Sequence, residues 1–272
     1  MIPKKIHYCW FGGNPIPEKD QKCIESWKKF CPDYEIIQWN ESNYDVRKNK
    51  FISQAYDLKK WAFVSDYARL DIIYNNGGIY LDTDVEIIKS FDELLENEAF
   101  MGFEKGRVIA TGLGFGAVPQ QKGIKLLRDS YDNLEFVNEK GNQKKADETN
   151  CPIINSKVLA ENGAVMNDQM QNVLGITLYP TEYFCPLNSS TGILNCTDKT
   201  FSIHRYNMSW VSDFEKKWAK RQQRLTKMLN EKLAVRIIRI LCIPDHIFTR
   251  FRTLGFKEAS RFYINKFKGK ND

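Results

Sequence analysis

Residues 77–86 read GGIYLDTDVE. The two glycines follow Asn75 and Asn76, and together they mark the end of a helix, because glycine takes the left-handed backbone that a helix stop needs. Residues 79–81 then form a short apolar strand. Asp82 and Asp84 come next, on either side of Thr83. On an extended chain both carboxylates would point the same way. Held that close they repel unless a positive charge stands beside them. A divalent cation meets that need, since Mg²⁺ and Mn²⁺ prefer oxygen ligands and accept one or two carboxylates plus phosphate oxygens. Two aspartates one residue apart also occur at plain solvated strand ends, so the spacing has weight only in its surroundings.

Working outward, residues 53–75 carry a helical period, with Leu58, Trp61, Ala62, Ser65, Ala68 and Ile72 at steps of three and four. Residues 2–10 read as a first strand closed by the Gly12-Gly13 turn. A helix over 18–30 is stopped by Pro32, and residues 34–39 form a second strand. Strand, helix, strand, helix, strand predicts an α/β fold with a Rossmann-like, mainly parallel sheet flanked by helices. In such sheets ligands bind at the carboxyl ends of strands, where the aspartates sit. Further strands are expected at 99–104, 108–118, 175–179 and 200–204. A helix is expected over 123–136, a polar surface loop over 138–150, and a last helix from Ser212, with Glu215 completing a capping box.

The chain has 272 residues, is 42% hydrophobic and carries a net charge of +6. That charge is uneven. Residues 216–272 hold 16 Lys and Arg against four acids, while residues 1–215 hold 24 basic and 30 acidic groups. Two regions are therefore expected: a domain over 1–212 and a basic helical tail over 213–272. Within the tail, aromatic and aliphatic residues alternate with lysines and arginines in runs too short to span a bilayer. This fits a segment lying on an anionic membrane surface, or helices packed on the domain with a solvated basic face. No nucleic-acid-binding module is recognisable. The seven cysteines show no CxxC spacing and read as reduced thiols. The first residues lack the apolar run of a secretory leader. A cytoplasmic protein, peripheral on the inner face of a bacterial membrane, is the expectation.

Asp66 and Arg69, three apart on the helix, share an otherwise apolar face. They form either an intrahelical ion pair or a device for holding hydroxyls or phosphate, for which the planar guanidinium is suited. At this point the chain resembles a known family. VSDYARLDIIYNNGGIYLDTDVE, residues 64–86, is similar to the signature of glycosyltransferase family thirty-two, with its DxD sugar-binding region. More distantly it is similar to the glucosylating clostridial toxins. The opening IHYCWFGG (6–13) and the late HRYNMSW (204–210) resemble the family's first strand and its final loop.

The resemblance covers roughly residues 1–212 and implies a GT-A fold binding a nucleotide-sugar donor through Mn²⁺ or Mg²⁺. It implies Asp82, Asp84 and His204 as metal ligands, with Asp82 and Asp84 at the catalytic centre. Tyr8, Trp10, Asp66, Arg69, Tyr80, Ser209 and Trp210 would bind the donor, with Trp10 a candidate to stack on the base and Asn207 a neighbour of the diphosphate. His7 reads as structural, and His246 falls in the tail. The chain departs from the family's Thr-Gly-Pro element, reading Asn150-Cys151-Pro152, which puts the acceptor side in doubt. Asp168-Gln169 is a weaker sugar-side candidate. The implied reaction is retaining transfer of a hexose or N-acetylhexosamine, a UDP-sugar being favoured, to a hydroxyl of a polysaccharide or lipid-linked oligosaccharide. An inactive binding module of the same fold and a membrane-surface adaptor are the alternatives.

Overall fold

A computed structural model describes residues 1–104, 107–140, 143–146, 149, 151–207, 213–229, 233–234, 236–238 and 241. In chain order the elements are β1 (Lys5–Cys9), α1 (Glu18–Phe30), β2 (Glu35–Trp39), α2 (Lys50–Asp57), α3 (Trp61–Asn76), β3 (Gly78–Tyr80), β4 (Val85–Ile87) and β5 (Ala99–Glu104). There follow β6 (Val108–Ile109), β7 (Phe115–Ala117), α4 (Lys122–Asp129), β8 (Val137–Lys140), β9 (Gln143–Ala146), α5 (Cys151–Glu161), β10 (Gln171–Val173), β11 (Ile176–Tyr179), α6 (Thr181–Phe184), β12 (Ser202–His204) and α7 (Asp213–Met228). Short 3₁₀ turns occupy Asp92–Glu96 and Thr111–Leu113.

The main sheet runs β10-β11-β5-β7-β3-β1-β2, with β6 beside β5. Strands β1, β2, β3, β5 and β11 point one way, and β7 and β10 the other. This is the expected α/β class with a mainly parallel sheet. Side chains alternate between its two faces. Tyr80, Met101 and Phe103 enter a core with α2, α3 and α4. Ile79, Leu81 and Phe100 enter a second core around Trp27, Phe91, Phe184 and Phe201.

The expected helix over 53–75 is two helices. Lys59 takes a left-handed backbone (φ 55°), and Leu58, placed on the stripe by its period, is 48% exposed. The two helices also differ in burial: α2 covers one side, at Phe51, Ile52 and Ala55, whereas α3 is covered nearly all round, from Val64 to Ile73. Where a polar surface loop over 138–150 is expected, Val137–Lys140 and Gln143–Ala146 pair antiparallel as β8 and β9, and their polar residues give no alternation to read. Helix α4 stops at Asp129, earlier than expected. Helix α5 was not foreseen. Its buried positions include Cys151, Asn155 and Ser156, while Ile153 is 55% exposed, so its apolar pattern cancels.

The chain divides into two compact units, residues 1–188 with 193–210, and residues 189–192 with 211–272. In the second, α7 carries a stripe of exposed Lys217, Lys220, Arg221, Arg224 and Lys227, and the Gln223 amide donates to Ser189 O (2.8 Å). The capping pair at Ser212 and Glu215 lies outside the residues whose backbone and side chains are both described. Among the described residues no helix is long and apolar enough to cross a membrane, and no disulfide forms.

Candidate metal centre and donor site

Asp82 and Asp84 do not lie on a continuing strand. The chain leaves β3, turns at 82–84 with Val85 N–H donating to Asp82 O (3.0 Å), and re-enters β4. The turn still brings the carboxylates together, and β4 adds the third group. Strand β12 pairs antiparallel with β4 and sets His204 opposite Val85, while Arg205 N–H donates to Asp84 O (2.8 Å). Ligand atoms of Asp82, Asp84 and His204 consequently lie within 4.8 Å of one another.

The donor set fits a hard divalent cation, with two carboxylates and an imidazole. His204 Nε2 stands 3.2 Å from Asp84 Oδ1, and its buried Nδ1 has no hydrogen-bond partner among the described residues. Burial disfavours the imidazolium, but the charges of Asp84 and Asp82 outweigh it and raise His204 to about 9. Asp84 is lowered below the usual carboxylate range: burial pushes the other way, but His204 and the Asn207 N–H prevail. Asn207 N–H donates to Asp84 Oδ2 (2.9 Å).

Behind the turn stands Arg69. Its guanidinium contacts Asp66 Oδ1 (3.0 Å) and Asp82 Oδ1 (3.3 Å). It also donates to Ser65 O (3.0 Å) and Ser65 Oγ (2.9 Å), and lies 3.8 Å from Cys151 Sγ. Arg69 is 4% exposed and Asp66 8%. Burial raises Asp66 to about 6, against the pull of Arg69. Tyr80, expected beside a nucleoside, is fully buried, because alternation turns it into the core under α3. Its ring stacks beneath Arg69 (5.1 Å) and its hydroxyl donates to Asp82 Oδ1 (3.1 Å). It orients Asp82 instead of facing a ligand.

Tyr8 is also buried, its hydroxyl donating to Gln38 Oε1 (2.9 Å). Trp10 is partly exposed. Its indole N–H donates to Asn14 O (2.6 Å), and its backbone N–H to Trp39 O. That loop rims a cleft lined by Gly12, Asn14, Glu41, Tyr56, Lys59 and Trp61. Trp61, Ser65 and Arg69 fall on one face of α3 at four-residue steps. The cleft and the acidic turn are thus joined by about 12 Å of helix.

His7 is fully buried, accepts from the Trp39 indole N–H (3.0 Å) and so donates from Nε2 to Gly77 O (3.1 Å), the structural role expected of it. Asp168 spends its carboxylate on Thr181 N–H and Oγ1 (2.8 and 2.7 Å), which is a loop brace. Ser209, Trp210 and His246 lie outside the described residues. In the place of the family's Thr-Gly-Pro element, Cys151 opens α5, with its thiol 3.6 Å from Thr111 Oγ1.

Sequence reasoning missed Gly112. A Cβ there would collide with Asp82 Oδ2 and stand 3.2 Å from Arg69 Nη1. Its place in the Gly-rich run 112–116 was visible, but its target 30 residues upstream was not. Asp20 and Glu104 were missed as well: Asp20 is buried at the turn, and Glu104 accepts from Tyr206 (2.8 Å) beside His204.

Residues 17–101 match the family described as the glycosyltransferase sugar-binding region containing a DXD motif. The match covers this segment and not the whole chain. It contains Asp20, Asp66, Arg69, Tyr80, Asp82 and Asp84, while His204 and Gly112 lie beyond it. The chain is 32% identical over 126 residues to inositol phosphoceramide mannosyltransferase 3 of Schizosaccharomyces pombe, covering 39% of this chain and 34% of that one. It is 29% identical over 149 residues to mannosyl phosphorylinositol ceramide synthase SUR1 of Saccharomyces cerevisiae, covering 50% and 37%. The chain thus spans about a third of the length of these relatives. Among solved structures, the PaToxG glycosyltransferase aligns over 59% of this chain and 68% of that one, at 21% identity and a TM-score of 0.42.

Proposed function

We propose that the chain is a Mn²⁺- or Mg²⁺-dependent retaining glycosyltransferase that moves a hexose from a nucleotide-diphosphate sugar to a hydroxyl of a glycan or lipid-linked acceptor. The observation that carries this reading is the convergence of Asp82, Asp84 and His204 within 4.8 Å, beside a buried Arg69 that braces Asp82, inside a DXD glycosyltransferase region. Such a cation, when bound, offsets the charge that develops on a leaving diphosphate.

The chain's own residues do the rest. Asp84, held ionised by His204 and Asn207 N–H, and Asp82, oriented by Tyr80 and Arg69, present anionic oxygens. The cleft at Trp61 and Tyr56 offers aromatic faces to a base. Arg69 has most of its donors engaged, so it acts on a donor sugar through Asp82 and Asp66. With no carboxylate assigned as nucleophile, positioning of donor and acceptor carries the chemistry. The mannosyl names of the relatives support a hexose, and their ceramide names a lipid-linked acceptor. The basic stripe of α7 supports residues 216–272 docking on an anionic membrane surface from the cytoplasmic side.

The test is thermal stability with UDP- and GDP-hexoses, each with and without Mn²⁺. A rise that needs sugar nucleotide and metal together, and that is lost in Asp84→Asn, is expected, and it names the nucleotide. The same rise in Asp84→Asn would overturn the assignment.

A further inference from the structure

Asp20 is the most deeply buried acid on α1 at 1% exposure, and neither of its side-chain partners belongs to that helix. Its Oδ1 accepts from the Asn207 amide at 2.6 Å, across 187 residues. Its Oδ2 accepts from Thr83 Oγ1 at 3.2 Å, across 63 residues. Thr83 is the residue between the two aspartates, and Asn207 is the residue whose backbone N–H donates to Asp84 Oδ2. One carboxylate therefore ties together the turn that carries Asp82 and Asp84 and the segment that follows His204.

The helix beneath is fixed to the same region. Trp27 Nε1 donates to Val85 O (2.7 Å), and Ile87 N–H donates to Ser26 Oγ (2.9 Å). From residue 20 to residue 27, α1 runs alongside residues 83–87 and meets them at successive points.

The placement is costly unless it serves something. Burial disfavours the Asp20 carboxylate, and Asp84 and Asp82 add like charge. A neutral side chain would make the Thr83 and Asn207 contacts without that repulsion. A carboxylate brings two acceptor oxygens to two donors, and its charge draws the Asn207 amide in tightly.

We propose that Asp20 is a positioning residue of the metal centre: it holds Asn207, and through it Asp84, in the geometry that binds the cation, without being a ligand itself. The inference rests on the metal reading above. Residues that orient ligands in this way change metal affinity roughly 10–100-fold when removed.

The test uses the purified full chain with Mn²⁺ titrated in the presence and absence of UDP, free Mn²⁺ being read by electron paramagnetic resonance. Melting temperature without metal is measured in parallel. Asp20→Ala and Asn207→Ala should each raise the Mn²⁺ dissociation constant roughly tenfold or more. The double variant should be no worse than the weaker single one, because both break one contact. The exchange Asp20→Asn with Asn207→Asp rebuilds an amide-to-carboxylate bond in reverse and should recover most of the affinity. The proposal is overturned if Asp20→Ala binds Mn²⁺ like the unsubstituted chain. It is equally overturned if the loss only follows a fall in metal-free melting temperature and the exchange recovers nothing. Asp84→Asn separates the two readings. Loss of Mn²⁺ there, with full binding in Asp20→Ala, removes Asp20 alone, whereas no Mn²⁺ binding by the unsubstituted chain removes both.

Discussion

Helix α3 carries two buried acids five residues apart, and they are treated in opposite ways. Asp71 is surrounded by donors: Tyr44 hydroxyl (3.1 Å), Lys48 Nζ (2.5 Å), Asn75 amide (3.1 Å) and Arg128 Nη1 (3.8 Å). Asp66 shares Arg69 with Asp82 and accepts from Cys151, and burial still leaves it raised to about 6. The first cluster is a finished network that ties α3 to α4 and the 44–48 loop. The second has more carboxylate than cation around it, counting Asp82, Asp84 and Asp20 against Arg69 and His204. Saturation with donors marks an acid that serves the fold. A surplus of negative charge at clustered, partly buried carboxylates marks a candidate for holding a ligand.

The sharpest way to break this contrast is to remove each cation. Arg69→Met takes the guanidinium from the buried Asp66 and from the partly exposed Asp82, and should cost about 3–5 kcal/mol, read as a fall in the urea midpoint. The cost should shrink at pH 5, where Asp66 can protonate. If Arg69→Met cost no more than the equivalent change at Asp71, the contrast would fail.

A third buried ionisable group serves as the control. Among the described residues His7 has no opposite charge in contact, and burial lowers it to about 4. The folded state thus takes up its proton less readily than the unfolded chain. Stability from His7 is present above about pH 6.5 and is lost as pH falls toward 4, by about 3 kcal/mol. Asp66 shifts the other way in an overlapping window, since its raised value favours the folded state as it protonates. The His7 effect is therefore read as the difference between the unsubstituted chain and His7→Gln across pH 7 to 4.

Gly112→Ala pushes a methyl group into Asp82 and should cost about 1–3 kcal/mol as overpacking, with donor turnover falling more than the melting temperature. At the small end, Lys48→Met leaves Asp71 three donors and should cost about 1 kcal/mol or less.

How much of this was legible in the sequence differs from element to element. The expected metal ligands Asp82, Asp84 and His204 converge, and residues 99–104 and 18–30 have the bounds that their patterns predict. The α2–α3 break was hidden because the three- and four-residue spacing runs on unbroken through Leu58 to Trp61 and Ala62. Helix α5 was hidden because its buried face mixes Asn155 and Ser156 with Cys151 and Leu159, while Ile153 turns outward. Tyr80 was misread because its place beside Asp82 suggested a ligand contact, whereas strand alternation sends it inward under Arg69.

The sequence by itself determined the α/β alternation, the acidic turn with its glycine stop, the Asp66 and Arg69 spacing on one helix face, and the basic tail. These are local: each follows from residue type and from periods of two or 3.6. The tertiary structure alone decided that β12 sets His204 against Asp84, that Gly112 leaves room for Asp82, and that Asp20 reaches Thr83 and Asn207. These contacts span tens to hundreds of residues, and nothing in a local pattern records which distant segment will fill the space beside a charge.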